Sequence, residues 1–437
     1  MYKVNNLILF WIALFIPFPT LGLEVGNKWL ITPAILLAVC YVGIYLLSHG
    51  LHKLHLYAIG LLTSFVITSI FRHELKSYIF SILALSIAVA PLTAPIKNEL
   101  ERRSLMRGFV VGLYITLGFM FAELIGQVFG LIFVKEFFAS IFSSEYSNSF
   151  LGIERPKAGF FEPSHLAIYL CFSYIILDVQ DKRNKKNHFL RVIVLLSLIF
   201  SGSLSGLVLI VGYFIVTYVK KIGRSFLFAI KSNFIQKRTA YQIVAGVLLI
   251  SLGFVLFSES IVSILGAFGD RLFLVVLALI SGDLVGSESS RVNAMSAVFE
   301  YWSQQGFVGV LFGTGYANSK DWLISNYGYL GDLSTFARGQ QDNLLAAILL
   351  STGLFGLAAY LVFLLAIFKN TKFLASGEVV FFFLLLHFVY GFFVSYLHWY
   401  LLFVLLAALR IYKPRGIVAN ASRHFGRRQL SDYVEFK

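Results

Sequence analysis

Charge is the first thing this chain is short of. Only 13% of its 437 residues are Asp, Glu, Lys or Arg, about half the share of an average soluble domain. Acidic residues are the scarcer kind, 22 against 36 basic, leaving a formal net charge of +14. A folded globule must still cover its exterior with polar groups, and a chain that is 58% hydrophobic with a mean hydropathy of +0.80 cannot do so. A soluble enzyme and a disordered protein are excluded. Cysteine is nearly missing too. Cys40 and Cys171 both fall inside apolar runs, which excludes a disulfide scaffold and reads as two buried small hydrophobes. No Asp-x-Asp metal pair, phosphate loop or zinc signature occurs, and Glu99-Leu100-Glu101 sits beside Arg102. A metal-dependent nucleotide-sugar enzyme, an ATPase and a zinc protease are therefore disfavoured, and neither a metal nor a cofactor is expected. There is no cleavable leader with a small-residue cleavage site, so Leu7 to Phe18 reads as a first span that stays attached.

What the chain does have is long apolar runs, with 45 Phe and 22 Tyr to face lipid and the membrane interfaces. The runs are continuous rather than alternating, so they predict helices and not a barrel. About twenty apolar residues cross a bilayer. On that measure the fold class is all-α: a polytopic membrane protein of about 12 transmembrane helices in one integral membrane domain, 1–437. Spans are expected near 7–23, 30–48, 55–71, 77–94, 108–133, 163–179, 190–203, 204–219, 240–257, 342–368, 378–395 and 397–412. The seventh and eighth are read as two short helices reversing at Ser201-Gly202-Ser203-Leu204-Ser205-Gly206. With the N-terminus inside, 26 of the 36 basic residues fall on the cytoplasmic side and 10 outside, as the positive-inside bias requires. The same arrangement puts the basic residues in short loops between spans, so no nucleic-acid partner is expected. Both termini are then cytoplasmic, including a basic tail at 413–437, and two long loops at 134–162 and 258–341 are periplasmic. No internal repeat of two halves is visible.

The outer loops concentrate the candidate chemistry. Arg155 through His165 leads into the sixth span, with Pro163 suited to a first helical turn. Glu162 there also complements a helix dipole. Within 258–341 a short amphipathic helix is expected near 290–303, with Val292, Met295, Phe299 and Trp302 as its apolar stripe. Arg291 stands at its head, Gly313-Thr314-Gly315-Tyr316 forms a flexible glycine turn after it, and Arg338 precedes Asp342-Asn343 at the tenth span. Arg155, Arg291 and Arg338 lie on the side where basic residues are disfavoured, so they point to a phosphate-bearing ligand, which guanidinium groups hold bidentately. Inside the spans ionisable residues are few; Glu123 is the clearest, and His387 and His398 are others. An intramembrane carboxylate is either functional or a hydrogen-bonded group facing the bundle interior.

Two stretches carry a family resemblance. Arg155-Pro156-Lys157-Ala158-Gly159-Phe160-Phe161-Glu162-Pro163-Ser164 resembles the Arg, Gly, Phe and Glu-Pro-Ser segment of bacterial O-antigen polymerases of the Wzy type. The later pattern Ser289-Ser290-Arg291, Gly313-Thr314-Gly315, Asn343 and Thr352-Gly353-Leu354-Phe355-Gly356 is similar to the region those polymerases share with O-antigen ligases. Relatives often carry His-Asn where Asp342-Asn343 stands, and Arg where Gly206 stands. The resemblance implies an inner-membrane glycosyltransferase of surface-polysaccharide (lipopolysaccharide) biosynthesis that joins oligosaccharide repeats carried on undecaprenyl pyrophosphate at the periplasmic face. In that setting Arg155, Arg291 and Arg338 would bind pyrophosphate and glycan, and Glu162 or Asp342 would be the base with His165 as a third group. Membrane lipids, a chain-length regulator and a flippase of the same pathway would be its partners. The alternatives are a ligase that moves glycan to lipid A core, and a lipid-linked oligosaccharide flippase, which should show broken helices, paired halves and midplane charges.

Overall fold

Proline and small residues set the ends and the closeness of these helices more than apolarity does. A computed structural model of the chain describes residues 2–25, 29–70, 78–96, 98–131, 133–134, 137, 149–150, 153–160, 163–184, 187–203, 206–207, 209–215, 217, 287–315, 318–327, 343–370 and 396–409. Among them the elements are α1 (Tyr2–Phe15), β1 (Leu23–Val25), β2 (Trp29–Ile31), α2 (Pro33–His49), α3 (Lys53–Ile70), α4 (Tyr78–Thr93) and α5 (Glu99–Val128). Then come β3 (Ser149–Phe150), β4 (Ile153–Glu154), α6 (Pro163–Asn184), α7 (His188–Phe200), α8 (Ser287–Phe312), α9 (Asn318–Tyr327), α10 (Leu344–Asn370) and α11 (Tyr396–Leu409). The protein is thus helical, with two antiparallel two-stranded hairpins, β1–β2 and β3–β4. Two of the helices, Glu99–Val128 and Leu344–Lys369, are long and apolar enough to cross a membrane. The expected spans at 240–257 and 378–395 lie outside the described residues.

Several boundaries differ from the expected spans for identifiable reasons. The first was expected to reach residue 23, but α1 stops at Phe15. Pro17 disfavours helical backbone in the residue before it and lacks an N–H to continue the ladder. The second was expected from residue 30, yet 29–31 pair with 23–25 as a hairpin. Helix α2 begins only at Pro33, where Thr32 Oγ1 accepts the Ile35 N–H at 3.4 Å. The reversal after α7 is where the small residues put it: Gly202 has φ +61°, and helical residues resume at 206 with Ser203 Oγ accepting the Gly206 N–H.

Packing follows the small residues. A Cβ on Gly108 would lie 2.0 Å from the Phe10 carbonyl oxygen, and one on Gly112 would lie 2.8 Å from that of Leu14. Four residues apart, the two glycines share one helix face, and they let α1 lie directly on α5. Helix α5 then has two contrasting sides. Leu105, Phe109, Leu113, Leu117 and Met120 are buried, whereas Val111, Tyr114, Phe121, Ile125 and Val128 are exposed. Residues 166–179 of α6 and 397–409 of α11 are buried all round, and α11 packs on α4, α5 and α6. Of the two cysteines only Cys171 is buried; Cys40 is exposed on α2, because it falls on the side of that helix away from the bundle. One ionic network lies where α6 turns into α7. Arg191 pairs with Asp178 and, at 3.1 Å, with Asp181, while the Tyr213 hydroxyl donates to Asp178 at 2.7 Å.

Candidate functional site

The segment 155–160 is irregular backbone held inside an apolar bundle. Pro156, Ala158, Gly159 and Phe160 are buried. Three parts of the chain hold it. Glu123, from α5, accepts the Lys157 N–H on Oε2 at 2.7 Å and the Ala158 N–H on Oε1 at 3.0 Å. Thr20, after α1, donates its hydroxyl to the Gly159 carbonyl at 2.7 Å. Arg155 donates from Nε to the Ser201 carbonyl at 3.0 Å, in the turn after α7. The Phe160 N–H returns to the Lys157 carbonyl at 2.9 Å. Ala158 adopts φ +49° and Gly159 φ +91°. Consecutive N–H groups converging on one anion form the kind of concavity that binds phosphate elsewhere, and here a carboxylate of the same chain fills it. A non-glycine residue at positive φ persists only where its surroundings over-determine it, and the hydrogen bonds to both sides of Ala158 do that. Phe160 then packs against Tyr169 of α6, the rings tilted by 38° with centroids 5.4 Å apart.

Glu123 was open to two readings from the sequence, and its observed contacts are those of a hydrogen-bonded side chain facing the bundle. It anchors the segment that contains Arg155. Thr20 and Ser201 were not anticipated as partners, because neither carries a local motif that points 139 or 46 residues along the chain. Asp178 was also missed, although it is a carboxylate inside an expected span with Arg191 shortly after it.

The other candidates are placed unevenly. His165 sits half-buried in the first turn of α6. Arg291 lies in the first turns of α8, whose backbone there is described. Glu162, Arg338 and Asp342 lie outside the described residues, as does the convergence of the three arginines. Asn343, next to Asp342, caps α10: its Oδ1 accepts the Ala346 N–H at 3.1 Å. His387 is outside the described residues, and His398 is buried on α11 against the Phe172 ring. Among the described residues no three His, Cys, Asp or Glu side chains are grouped to hold a metal ion.

The expected amphipathic stripe of α8 is corrected. Ala294, Ala297, Val298 and Tyr301 form its buried face, packed with Ala346, Leu349 and Leu350 of α10. Phe299 is exposed, and Met295 and Trp302 are only partly buried. Small alanines allow the closer approach, which volume-based reading of the large residues overlooked. The glycine turn is likewise a packed crossing rather than a flexible one. Gly313 has φ +65°, and a Cβ there would lie 2.5 Å from the Leu350 carbonyl oxygen; Gly353 has φ +62°, and its Cβ would lie 2.4 Å from that of Leu311. The Thr314 N–H donates to the Leu350 carbonyl at 2.7 Å, and the Tyr301 hydroxyl to the Gly313 carbonyl at 2.9 Å. Two distant parts of the second motif, 313–315 and 350–356, thus meet. Helices α8 and α10 are both interrupted, at Gly306 and Gly353. Compared with known proteins, the chain matches no family model and no curated relative.

Proposed function

We propose that the chain is an inner-membrane polysaccharide polymerase, a glycosyltransferase that extends lipid-pyrophosphate-linked oligosaccharide at the periplasmic face. The observation that carries this reading is the clamped segment 155–160. Non-helical backbone at membrane depth is tolerated only where protein buries it or a polar cavity adjoins it. Here such a segment bears Arg155 and leads directly into α6 at Pro163 and His165. The exposed apolar side of α5, from Val111 to Val128, is what a helix turns toward hydrocarbon, and it supports a membrane location; about 12 spans with both termini cytoplasmic are proposed from the apolar runs and the 26-to-10 split of basic residues. The close fit of 313–315 against 350–356 gives the second motif a structural reason to exist.

In the reaction an acceptor-sugar hydroxyl attacks the anomeric carbon of the lipid-linked glycan. The new glycosidic C–O bond forms, the C–O bond to pyrophosphate breaks, and the hydroxyl proton passes to a base. Arg155, Arg291 and Arg338 would stabilise charge growing on the leaving pyrophosphate. Glu162 or Asp342 would take the proton, with His165 beside them. The donor is already activated, so the scheme needs neither nucleotide nor metal. A chain-length regulator and a flippase would act with it.

One observation favours the flippase reading. Transporters build substrate sites at broken helices, and α8 and α10 are broken. The Gly353 break, however, is filled by the backbone of Leu311 and Phe312, which leaves no room for a substrate at that point. The ligase remains the rival within the same chemistry, differing in its lipid A core acceptor.

Purified protein given lipid-linked repeats alone is expected to elongate them. Elongation only when core lipid is added would establish the ligase, and translocation without elongation the flippase. In a complemented deletion strain Arg291→Ala should abolish polymer at matched protein level, and Arg291→Lys should recover little, because a point charge lacks the planar fork. Asp342→Asn should slow elongation and Glu162→Gln should slow it more. Normal glycan ladders with Arg291→Ala would remove Arg291 from the site.

A further inference from the structure

A cavity of about 810 Å³ lies where the start of α5 meets α1 and the α6–α7 turn. Its polar wall carries Arg102, Arg103 and Arg107 against a single acid, Glu99, with Gln180 and Asn187 opposite. The rest of its lining is apolar: Phe10 of α1, and Met106, Val110 and Val111 on the same side of α5 as the arginines. Glu99 is already engaged, by Arg102 Nε at 2.7 Å and Arg103 Nε at 3.0 Å. Two of the three guanidinium groups, on Arg103 and Arg107, are exposed. Formal charge at the cavity is therefore positive by two. The neighbouring Asp178, Asp181 and Arg191 are bonded to one another and do not line it.

The length of α5 says where this cavity sits. Its 30 residues extend about 45 Å at 1.5 Å each, against about 30 Å of hydrocarbon. Val111 to Val128 supply the exposed apolar face, so the excess is the basic N-terminal end, at headgroup depth. A site with cationic donors at headgroup level and an apolar wall running down from Met106 to Val111 matches a molecule that is anionic at one end and aliphatic at the other.

We infer that this cavity is a binding site for an anionic glycerophospholipid of the adjoining leaflet, with the phosphate on Arg103 and Arg107 and an acyl chain along Val110 and Val111. The inference is independent of the proposed polymerase reaction, none of whose described residues lines this cavity. Lipid bound there would brace α1, α5 and the α6–α7 turn together at one end of the bundle.

Native mass spectrometry of the full chain in detergent tests it, using phosphatidylglycerol and phosphatidylcholine with the same acyl chains. Phosphatidylglycerol should be preferred by about 30-fold, as two arginines acting at a charged headgroup supply. Arg103→Ala with Arg107→Ala should bring the two lipids near parity, and Arg103→Lys with Arg107→Lys should retain most of the preference. If the double alanine variant does not fold, Arg107→Gln alone should still lower the preference about fivefold. Lys53→Ala with Lys369→Ala, which removes as much charge from residues that do not line the cavity, should leave the preference intact. Equal retention of both lipids by the unaltered protein would overturn the inference. So would an equal loss in the Lys53 and Lys369 variant, an undiminished preference in the alanine or glutamine variants, or displacement of phosphatidylglycerol by inorganic pyrophosphate, which would make this a site for free phosphate.

Discussion

Glu123→Ala is expected to lower stability by about 2–6 kcal/mol, at about 1–3 kcal/mol for each buried donor left unpaired. The alanine strips the acceptors from the Lys157 and Ala158 N–H groups together, and because Ala158 is buried and Lys157 only partly exposed, water replaces them incompletely. Against a total stability of about 5–15 kcal/mol, that is enough to release segment 155–160. Ala158, held at φ +49°, would then relax toward ordinary backbone, and Arg155 would lose its position over the Ser201 carbonyl. Glu123→Gln should cost about half as much, because its amide keeps one acceptor and turns a donor toward the second N–H. Thermal unfolding in detergent reads the stability, and glycan ladders at matched protein level read the consequence for the proposed reaction. An alanine variant that unfolds with the unaltered protein would show that these two donors have other acceptors.

Gly353→Ala is expected to be at least as damaging, and Gly306→Ala provides its control. Both glycines interrupt long helices with nearly the same backbone, φ +62° and ψ −160° at Gly353 against φ +61° and ψ −150° at Gly306. That region is open essentially to glycine alone and costs other residues about 1–3 kcal/mol. The surroundings differ. A methyl at Gly306 meets nothing within 4 Å, whereas at Gly353 it would sit 2.4 Å from the Leu311 carbonyl oxygen. Gly306→Ala should therefore show the backbone cost alone. Gly353→Ala should add separation of α8 from α10 and loss of the Thr314 to Leu350 hydrogen bond, exceeding about 3 kcal/mol in all. Equal unfolding midpoints for the two variants would show that the crossing tolerates an extra methyl.

The ends and contacts of the helices were legible to different degrees. Pro163 marks the start of α6 in the sequence and in the structure alike, since its missing N–H is harmless only in a first turn. The reversal near Gly202 was equally legible, because few residues other than glycine take φ +61° easily. Pro17 carried the same kind of information about the end of α1, but the apolar run continues past it to Leu23, and apolarity alone placed that boundary too late. On α8 the large residues suggested one stripe and the alanines made another, because close packing between helices rewards small side chains.

The sequence by itself determined that this is a helical protein, through the continuity of its apolar runs, and that it has more apolar surface than a water-soluble exterior can cover, because charge content is a property of the whole chain and needs no coordinates. It also singled out the stretch from Arg155 to His165 and the glycines at 313, 315 and 353. Only the tertiary structure decided what those residues touch. Glu123, Thr20 and Ser201 reach the segment from 34 to 139 residues away, and Gly313 and Gly353 turned out to be points of close backbone contact. A hydrogen bond between distant residues leaves no periodic trace in sequence. It arises only when packing brings a buried donor to the one acceptor that satisfies it.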